Sequence, residues 1–231
     1  MKIAILSDIH ANLEALQAIT EPWDELWVLG DLVNYGPNPC EVVDFIRRNA
    51  TVVVRGNHDH AVGYGVDSQC SAPFRAMARA MQAYSESVLS DEQKAFLRDL
   101  PLTAERTVEG RRFFLCHAVP SDPLYRYCPP KSPAWAMEAA TVDADVILVG
   151  HTHLPFQATL DGRQVVNPGS VGQPKHGLPQ ACYAVWEDGL FLLKSRPYDT
   201  AETVRKVLSL PISKPIASQL ADVLTRGPSP S

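Results

Sequence analysis

The strongest constraint on the fold is a pattern repeated three times before residue 61. Short, mostly apolar runs at Lys2–Leu6, Glu25–Leu29 and Thr51–Val54 each lead into a polar cluster: Ser-Asp-Ile-His at 7–10, Gly-Asp at 30–31 and Gly-Asn-His-Asp-His at 56–60. Segments of helical period separate them. Leu13, Leu16 and Ile19 fall on one face behind a capping Asn12, and Val42, Phe45 and Ile46 do so over Glu41–Arg48. The β-branched run Thr51–Val54 suits a buried strand. This β-α-β-α-β rhythm predicts a layered α/β fold with a mostly parallel first sheet. The polar clusters then stand at the C-terminal ends of the strands, the edge where ligands bind in such folds.

Between 61 and 100 the texture becomes helical. Met77, Met81, Tyr84 and Val88 recur at helical spacing within Phe74–Leu89, and Asp91–Arg98 follows with Ser90 as its N-cap. We read 61–100 as a helical insertion or cap, with the methionines as packing residues. The second half is richer in strands. Glu109-Gly110, Asp161-Gly162 and Asp188-Gly189 are hairpin signals. They join Leu102–Val108 to Arg112–Cys116, Phe156–Leu160 to Gln164–Val166, and Cys182–Trp186 to Leu190–Lys194. Val146–Val149 follows a helical segment at Pro133–Ala140. Together these predict a second, mixed or antiparallel sheet packed on the first. Thr200–Leu208 and Ile216–Leu224 read as helices of a C-terminal extension at about 199–226, and the final Gly-Pro-Ser-Pro-Ser reads as frayed. No repeat or long linker divides the chain, so residues 1–231 read as one domain.

Composition narrows the function classes. A formal net charge of −5 leaves no broad basic field for a nucleic-acid partner or an anionic membrane. The opening apolar run, Ile3 to Leu6, is too short for a signal-peptide core or a membrane span. The five cysteines are scattered, with no CxxC pair, as expected of reduced thiols. A cytoplasmic protein is expected.

Chemistry collects at the strand ends. Asp8 and His10 follow the first strand, Asp31 the second, and Asn57, His58, Asp59 and His60 the third. His117 follows Arg112–Cys116, and Gly-His-Thr-His at 150–153 follows Val146–Val149. Six of the seven histidines thus lie at or just past predicted strand ends. Each group has an ordinary alternative: a loop polar residue or cap at Asp8 and His10, a turn at Asp31, a left-handed position at Asn57, a satisfied buried histidine at His117. Their coincidence on one edge argues for a site. Carboxylates, imidazoles and an amide oxygen suit manganese, iron, cobalt, nickel or zinc, and the lack of cysteine argues against a structural zinc finger. One carboxylate can bridge two ions roughly 3.5–4 Å apart, as in two-metal hydrolytic sites.

The ordered set D-x-H (Asp8, His10), G-D (Gly30, Asp31), G-N-H-D (Gly56 to Asp59), His117 and G-H-x-H (Gly150 to His153) resembles the calcineurin-like metallophosphoesterases, over roughly residues 1–195. The stretches DIHANLEAL, GDLVNYGPNP and NPGSVGQP look like the small bacterial and archaeal phosphodiesterase branch. The resemblance implies a four-layer α-β-β-α sandwich of two mixed β-sheets flanked by helices. It implies a first metal held by Asp8, His10, Asp31 and His153, and a second by Asp31, Asn57, His117 and His151, with Asp31 as the bridge. His58 matches the family histidine that stabilises the transition-state phosphate and protonates the leaving oxygen. Asn12 and the Asn167–Gly172 loop are expected to face substrate.

The implied activity is hydrolysis of a small phosphodiester or nucleotide by a metal-bridging hydroxide. Two divalent transition-metal ions are expected, manganese first, with iron, nickel, cobalt or zinc as alternatives. Hydrolysis of dinucleoside polyphosphates or nucleotide phosphomonoesters is the alternative activity, and a non-catalytic metal-binding interaction scaffold is the rival outside enzymes. Two departures from relatives stand out. Tyr35 occupies the arginine position of the GDxVxRG pattern of protein phosphatases and symmetric dinucleoside tetraphosphatases, which argues against both activities. Asn34 replaces the aspartate that orients the catalytic histidine of protein phosphatases, and supplies no charge to support a protonated His58. His60 is expected in an exposed loop, Arg55 as a loop anchor, and Lys175 and His176 are left open as phosphate contacts.

Overall fold

Parallel pairing of the first strands sets the architecture. In the computed structural model, which describes residues 1–226, β1 (Lys2–Leu6) runs parallel to β2 (Glu25–Val28), and β2 to β3 (Val52–Val53). The crossovers carry α1 (Leu13–Gln17) and α2 (Pro39–Asn49), the latter started by a proline whose missing N–H is harmless in a first turn. The terminal Gly-Pro-Ser-Pro-Ser, expected to fray, lies outside the described residues.

After β3 the chain enters α3 (Asn57–Tyr64), which the sequence analysis did not anticipate. Its first turn is polar yet buried, so it shows no apolar stripe to betray a helix. A 3-10 turn at Ala72–Phe74 leads to α4 (Arg75–Val88) and α5 (Asp91–Asp99). Ser90 caps α5 through a reciprocal pair with Gln93. Met77 and Met81 are buried, as expected of packing residues, in one cluster with Tyr35.

The second sheet is built from β4 (Thr103–Val108), β5 (Arg111–Cys116), β6 (Val146–Leu148), β7 (Phe156–Leu160) and β8 (Arg163–Asn167), with α6 (Ala134–Ala140) outside it. Its order is β4-β5-β6-β8-β7, parallel at the centre and antiparallel at both edges. The last hairpin, β9 (Gln180–Glu187) and β10 (Leu190–Pro197), corrects the sequence reading. It joins the first sheet, through antiparallel pairing of β9 with β1, so that both sheets are mixed and five-stranded. All three hairpins turn through two residues of positive φ, Glu109-Gly110, Asp161-Gly162 and Asp188-Gly189, the geometry that matches strand twist. Helices α7 (Thr200–Leu208) and α8 (Lys214–Arg226) follow, and Val207, Leu220 and Leu224 join the cluster of Met77 and Met81.

Alternation along β1 assigns its faces. Ile3 and Ile5 enter the layer between the sheets with Trp27, Phe113 and Trp186, while Ala4 and Leu6 meet Leu16, Val42 and Ile46 on the helical side. Both faces of the strand are therefore apolar, which is why it reads as a continuous run. Outside the second sheet, Phe114 and Ile147 pack on Trp135 and Ala139 of α6. The result is two mixed sheets face to face with helices on both outer sides. No helix among the described residues is long and apolar enough to cross a membrane.

Candidate metal centre

The parallel strands deliver the polar clusters to one edge. Asp8 and His10 follow β1, Asp31 follows β2, Asn57 and His58 open α3, His117 follows β5, and His151 and His153 follow β6. All except His151 are buried, with Asp8 and His117 at 0% exposure and Asp31 at 1%. The loops that carry them are tied together through the backbone. Asp8 N donates to Gly30 O at 3.0 Å, His10 N to Asp31 O at 2.9 Å, and Gly150 N to His117 O at 2.7 Å. A Cβ at Gly150 would collide with Ser7 Oγ and meet Asp8 Oδ2 at 2.9 Å, so only glycine lets the His151–His153 loop come this close.

Backbone strain gathers here as well. Asp8, His10, Asp31, His151 and His153 all have φ between 48° and 63°, the left-handed region. Each costs roughly 1–2 kcal/mol for a residue with a Cβ. The surrounding hydrogen bonds hold these residues in place.

Side-chain contacts then orient the donors inward. Nδ1 of His10 meets Val33 O at 3.1 Å, that of His117 meets Leu29 O at 2.8 Å, and that of His153 meets Gln173 O at 2.6 Å. A carbonyl only accepts, so each Nδ1 carries a proton, and wherever the ring is neutral its Nε2 keeps a free lone pair. The Nε2 atoms of His10 and His153 face each other at 3.2 Å. Two lone pairs at that distance repel unless a cation sits between them. Asp8 points the same way: Oδ2 accepts from Ser7 Oγ at 2.6 Å and His151 N at 3.1 Å, while the buried Oδ1 makes no hydrogen bond and faces His153 Nε2 at 3.2 Å.

Asp31 stands at the middle. Its Oδ1 accepts from the His58 backbone N–H at 2.9 Å, and its Oδ2 lies 3.7 Å from His10 Nε2 and 3.3 Å from His117 Nε2. Asn57 donates Nδ2 to Ser68 O at 2.7 Å, which turns Oδ1 to within 3.1 Å of His117 Nε2. His151 Nδ1 is 3.2 Å from the same atom. Ligand atoms of Asp8, His10 and His153 lie within 4.8 Å of one another, and so do those of Asp8, Asp31 and His117. The all-nitrogen-and-oxygen donor set fits divalent transition metals, and carbonyl-held imidazoles are the usual outer support of such ligands.

Burial lowers the imidazole pKa of His10 and His151 to about 3 and of His58 to about 4. At His117 burial is outweighed by the Asp31 charge, which raises the ring to about 9. Burial alone would raise the carboxyl groups of Asp8 and Asp31, yet the surrounding imidazoles hold both below the ordinary range. Ionised carboxylates beside mostly neutral rings are the protonation states that metal binding requires.

Other expectations fare differently. Asn12 is buried with both ends engaged: Oδ1 accepts from Ala15 N at 3.1 Å, capping α1, and Nδ2 donates to Gly172 O at 3.0 Å and Tyr198 Oη at 3.2 Å. These are the contacts of a helix cap and a loop tie. His60 lies half-buried in α3 against the Tyr64 ring, 4.7 Å between centroids, and not in an exposed loop. Arg55 anchors its loop as expected, with Nη1 donating to Arg98 O at 2.5 Å and Tyr64 Oη at 3.1 Å.

Sequence reasoning named Asp59 within the Gly56–Asp59 motif but missed its role: its carboxylate accepts from the backbone N–H groups of Asp31, Leu32 and Gly56 at 2.7, 2.8 and 3.0 Å. Burial, with the nearby Asp31 charge, raises its pKa to about 7. It also missed Ser7 and Gln173. Only adjacency to the motifs could have flagged these supports.

Residues 1–188 match the family model for the calcineurin-like phosphoesterase superfamily domain. The chain is 31% identical over 229 residues to an uncharacterized protein of Methanocaldococcus jannaschii, covering 89% of this chain and 91% of that one. It is 27% identical over 197 residues to the phosphodiesterase YfcE of Escherichia coli, covering 78% and 84%. The crystal structure of a metallophosphoesterase from Sphaerobacter thermophilus superposes with a TM-score of 0.83 at 29% identity, covering 96% of this chain and 98% of that one.

Proposed function

This chain belongs to the calcineurin-like phosphoesterase superfamily and is a metal-dependent phosphoric ester hydrolase, and on that premise we propose that it cleaves a small phosphodiester or nucleotide at a two-ion centre. Asp8, His10, Asp31 and His153 would hold one ion, and Asp31, Asn57, His117 and His151 the other. The observation that carries this reading is Asp31 Oδ2, which lies between His10 Nε2 and His117 Nε2, one imidazole of each set. The facing nitrogens of His10 and His153, with Asp8 Oδ1 3.2 Å from His153 Nε2, support it. Manganese is the metal we expect, with iron, nickel, cobalt or zinc as alternatives.

When bound, such an ion pair supplies Lewis acidity, a lowered pKa for coordinated water and charge stabilisation for phosphoryl oxygens. The chain itself contributes proton handling and orientation. His58 accepts a hydrogen bond at Nδ1 from Asn34 Nδ2 at 2.8 Å, which leaves the N–H on Nε2 to donate a hydrogen bond to a phosphoryl or leaving oxygen. The Ser7 hydroxyl holds Asp8, and the Asp59 carboxylate holds the backbone of Asp31. The scaffold alternative has less support, because the complete donor set and His58 stand together at one edge.

Purified protein reconstituted with Mn²⁺, Co²⁺ or Ni²⁺ should hydrolyse bis-p-nitrophenyl phosphate or p-nitrophenyl phosphate. Failure on both esters with all three metals would overturn the reading.

A further inference from the structure

We propose that Lys175 is the cation that grips substrate phosphate at this site, in place of an arginine at the Tyr35 position, and that it favours substrates with a second negative charge on or beside the reacting phosphoryl group. The proposal rests on the phosphoesterase reading above. Its basis is an ammonium that the fold positions but leaves unpaired.

The loop that carries Lys175 is stitched to the metal-centre backbone. Ser170 Oγ donates to Asp8 O at 2.7 Å, Gly172 N donates to the same oxygen at 3.0 Å, and Gln173 O receives His153 Nδ1 at 2.6 Å. Two residues further on, Lys175 Nζ stands 5.4 Å over the Phe74 ring. Burial lowers its pKa from the ordinary lysine value, and the carboxylates of Asp8 and Asp31 oppose that by favouring the charged form.

Three other lysines are committed elsewhere. Lys2 and Lys194 pair with Glu21, and Lys206 with Glu14. Lys175 has no hydrogen bond and no carboxylate within 4 Å among the described residues. Gln173 Nε2 on the same loop is a second buried donor without a partner. Arg55 is tied to Arg98 O and Tyr64 Oη. Tyr35, at the arginine position of the GDxVxRG pattern, is buried edge-on between His10 and His58 at 4.9 and 5.0 Å. It offers no positive charge.

Electrostatics gives the substrate preference. Two divalent ions would outweigh the carboxylates of Asp8 and Asp31, so the nearby ammonium is repelled until an anion enters. A diester brings one negative charge, whereas a monoester dianion or a polyphosphate brings more. The extra charge is what Lys175 would meet, through a charge-assisted hydrogen bond.

The test compares wild type, Lys175→Arg and Lys175→Met, the last keeping an apolar stem over Phe74. Calorimetric titration of the Mn²⁺-loaded proteins with inorganic phosphate should show about tenfold weaker binding in K175M, with K175R close to wild type. KM for p-nitrophenyl phosphate should rise by about the same factor, and that for bis-p-nitrophenyl phosphate by less. Unchanged phosphate affinity in K175M would overturn the proposal, and so would equal KM increases for the two esters. Metal content and melting temperature should match across the three proteins, since a purely structural lysine would move those instead. Wild type that binds phosphate yet hydrolyses neither ester would count against the phosphoesterase reading alone.

Discussion

The Asn34 side-chain amide donates to Nδ1 of His58 across 2.8 Å, and this contact decides which ring nitrogen carries the proton. Nδ1 is the acceptor, so Nε2 keeps the hydrogen. An aspartate at the same place would instead accept a hydrogen bond from Nδ1–H and stabilise the ring cation. Ser85 Oγ, on α4, reaches the amide oxygen at 3.3 Å and holds its other end. The helical segment thereby supports the histidine. Asn34→Ala should lower kcat about tenfold to a hundredfold, at or below the lower end of general acid-base effects because the histidine itself remains, with metal content and KM near wild type. Ser85→Ala should give a smaller fall in kcat. Steady-state kinetics on bis-p-nitrophenyl phosphate check both, and an unaltered kcat in Asn34→Ala would remove the amide from the mechanism.

Asp31→Asn tests the bridge. An amide keeps the shape and can still accept from the His58 N–H through its oxygen, but the charge shared between His10 and His117 is lost. Metal analysis should find less bound ion than in wild type, and activity should fall with it. The same cluster predicts that chelation destabilises the protein, because His10 Nε2 and His153 Nε2 then face each other uncompensated. An ion present at a hundred times its dissociation constant adds about 2.7 kcal/mol, or about 5–10 °C in Tm for a chain of this size. Calorimetry with Mn²⁺ against EDTA measures the shift. Full metal content and activity in Asp31→Asn would exclude Asp31 as the bridge.

These residues also show what a sequence can reveal. That these residues gather was legible because the parallel strands of each sheet must end on the same side, so motifs far apart in the chain share an edge. The supports were not. Asp59 acts through three backbone N–H groups contributed by Asp31, Leu32 and Gly56, and such contacts leave no spacing signature. Helix α3 escaped detection because its buried first turn is polar. The β9–β10 hairpin was assigned to the wrong sheet because its turn fixes its own pairing but not its neighbour. That neighbour is β1, chosen by register with residues almost the whole chain away.

Acid stability has a separate anchor. Glu21 accepts from Lys194 Nζ at 2.6 and 2.9 Å, pairs with Lys2 Nζ at 3.1 Å and accepts from Tyr183 Oη at 3.0 Å. Lys194, ahead of the others, lowers its pKa to about 2 from an ordinary 4.5. Because the folded pKa is depressed, the stabilisation is complete above the unfolded pKa and is lost as pH falls from about 4.5 through about 2. Solvent screening reduces the contribution to about 1 kcal/mol. Urea titrations of metal-free protein should show Glu21→Gln less stable than wild type near neutrality, with the difference closing across that acid window. A constant difference at every pH would assign the effect to packing.

Asn12 separates a cap from a substrate contact. The motif places it two residues after His10, where family resemblance suggested a role facing substrate. In the structure its Oδ1 caps α1 and also receives Thr203 Oγ1 at 3.3 Å, while its Nδ2 ties Gly172 and Tyr198 to the first loop. Removing the side chain strips a helix cap and leaves the Gly172 carbonyl short of a buried donor. Asn12→Ala should therefore lose about 1–2 kcal/mol of stability. KM for both nitrophenyl esters should stay within about twofold of wild type, a shift worth less than 0.5 kcal/mol. Asn12→Asp sharpens the distinction: its carboxylate can still cap α1 but cannot donate to Gly172 O, so stability should fall between wild type and alanine. A large rise in KM with unchanged urea midpoint would instead put Asn12 against the substrate.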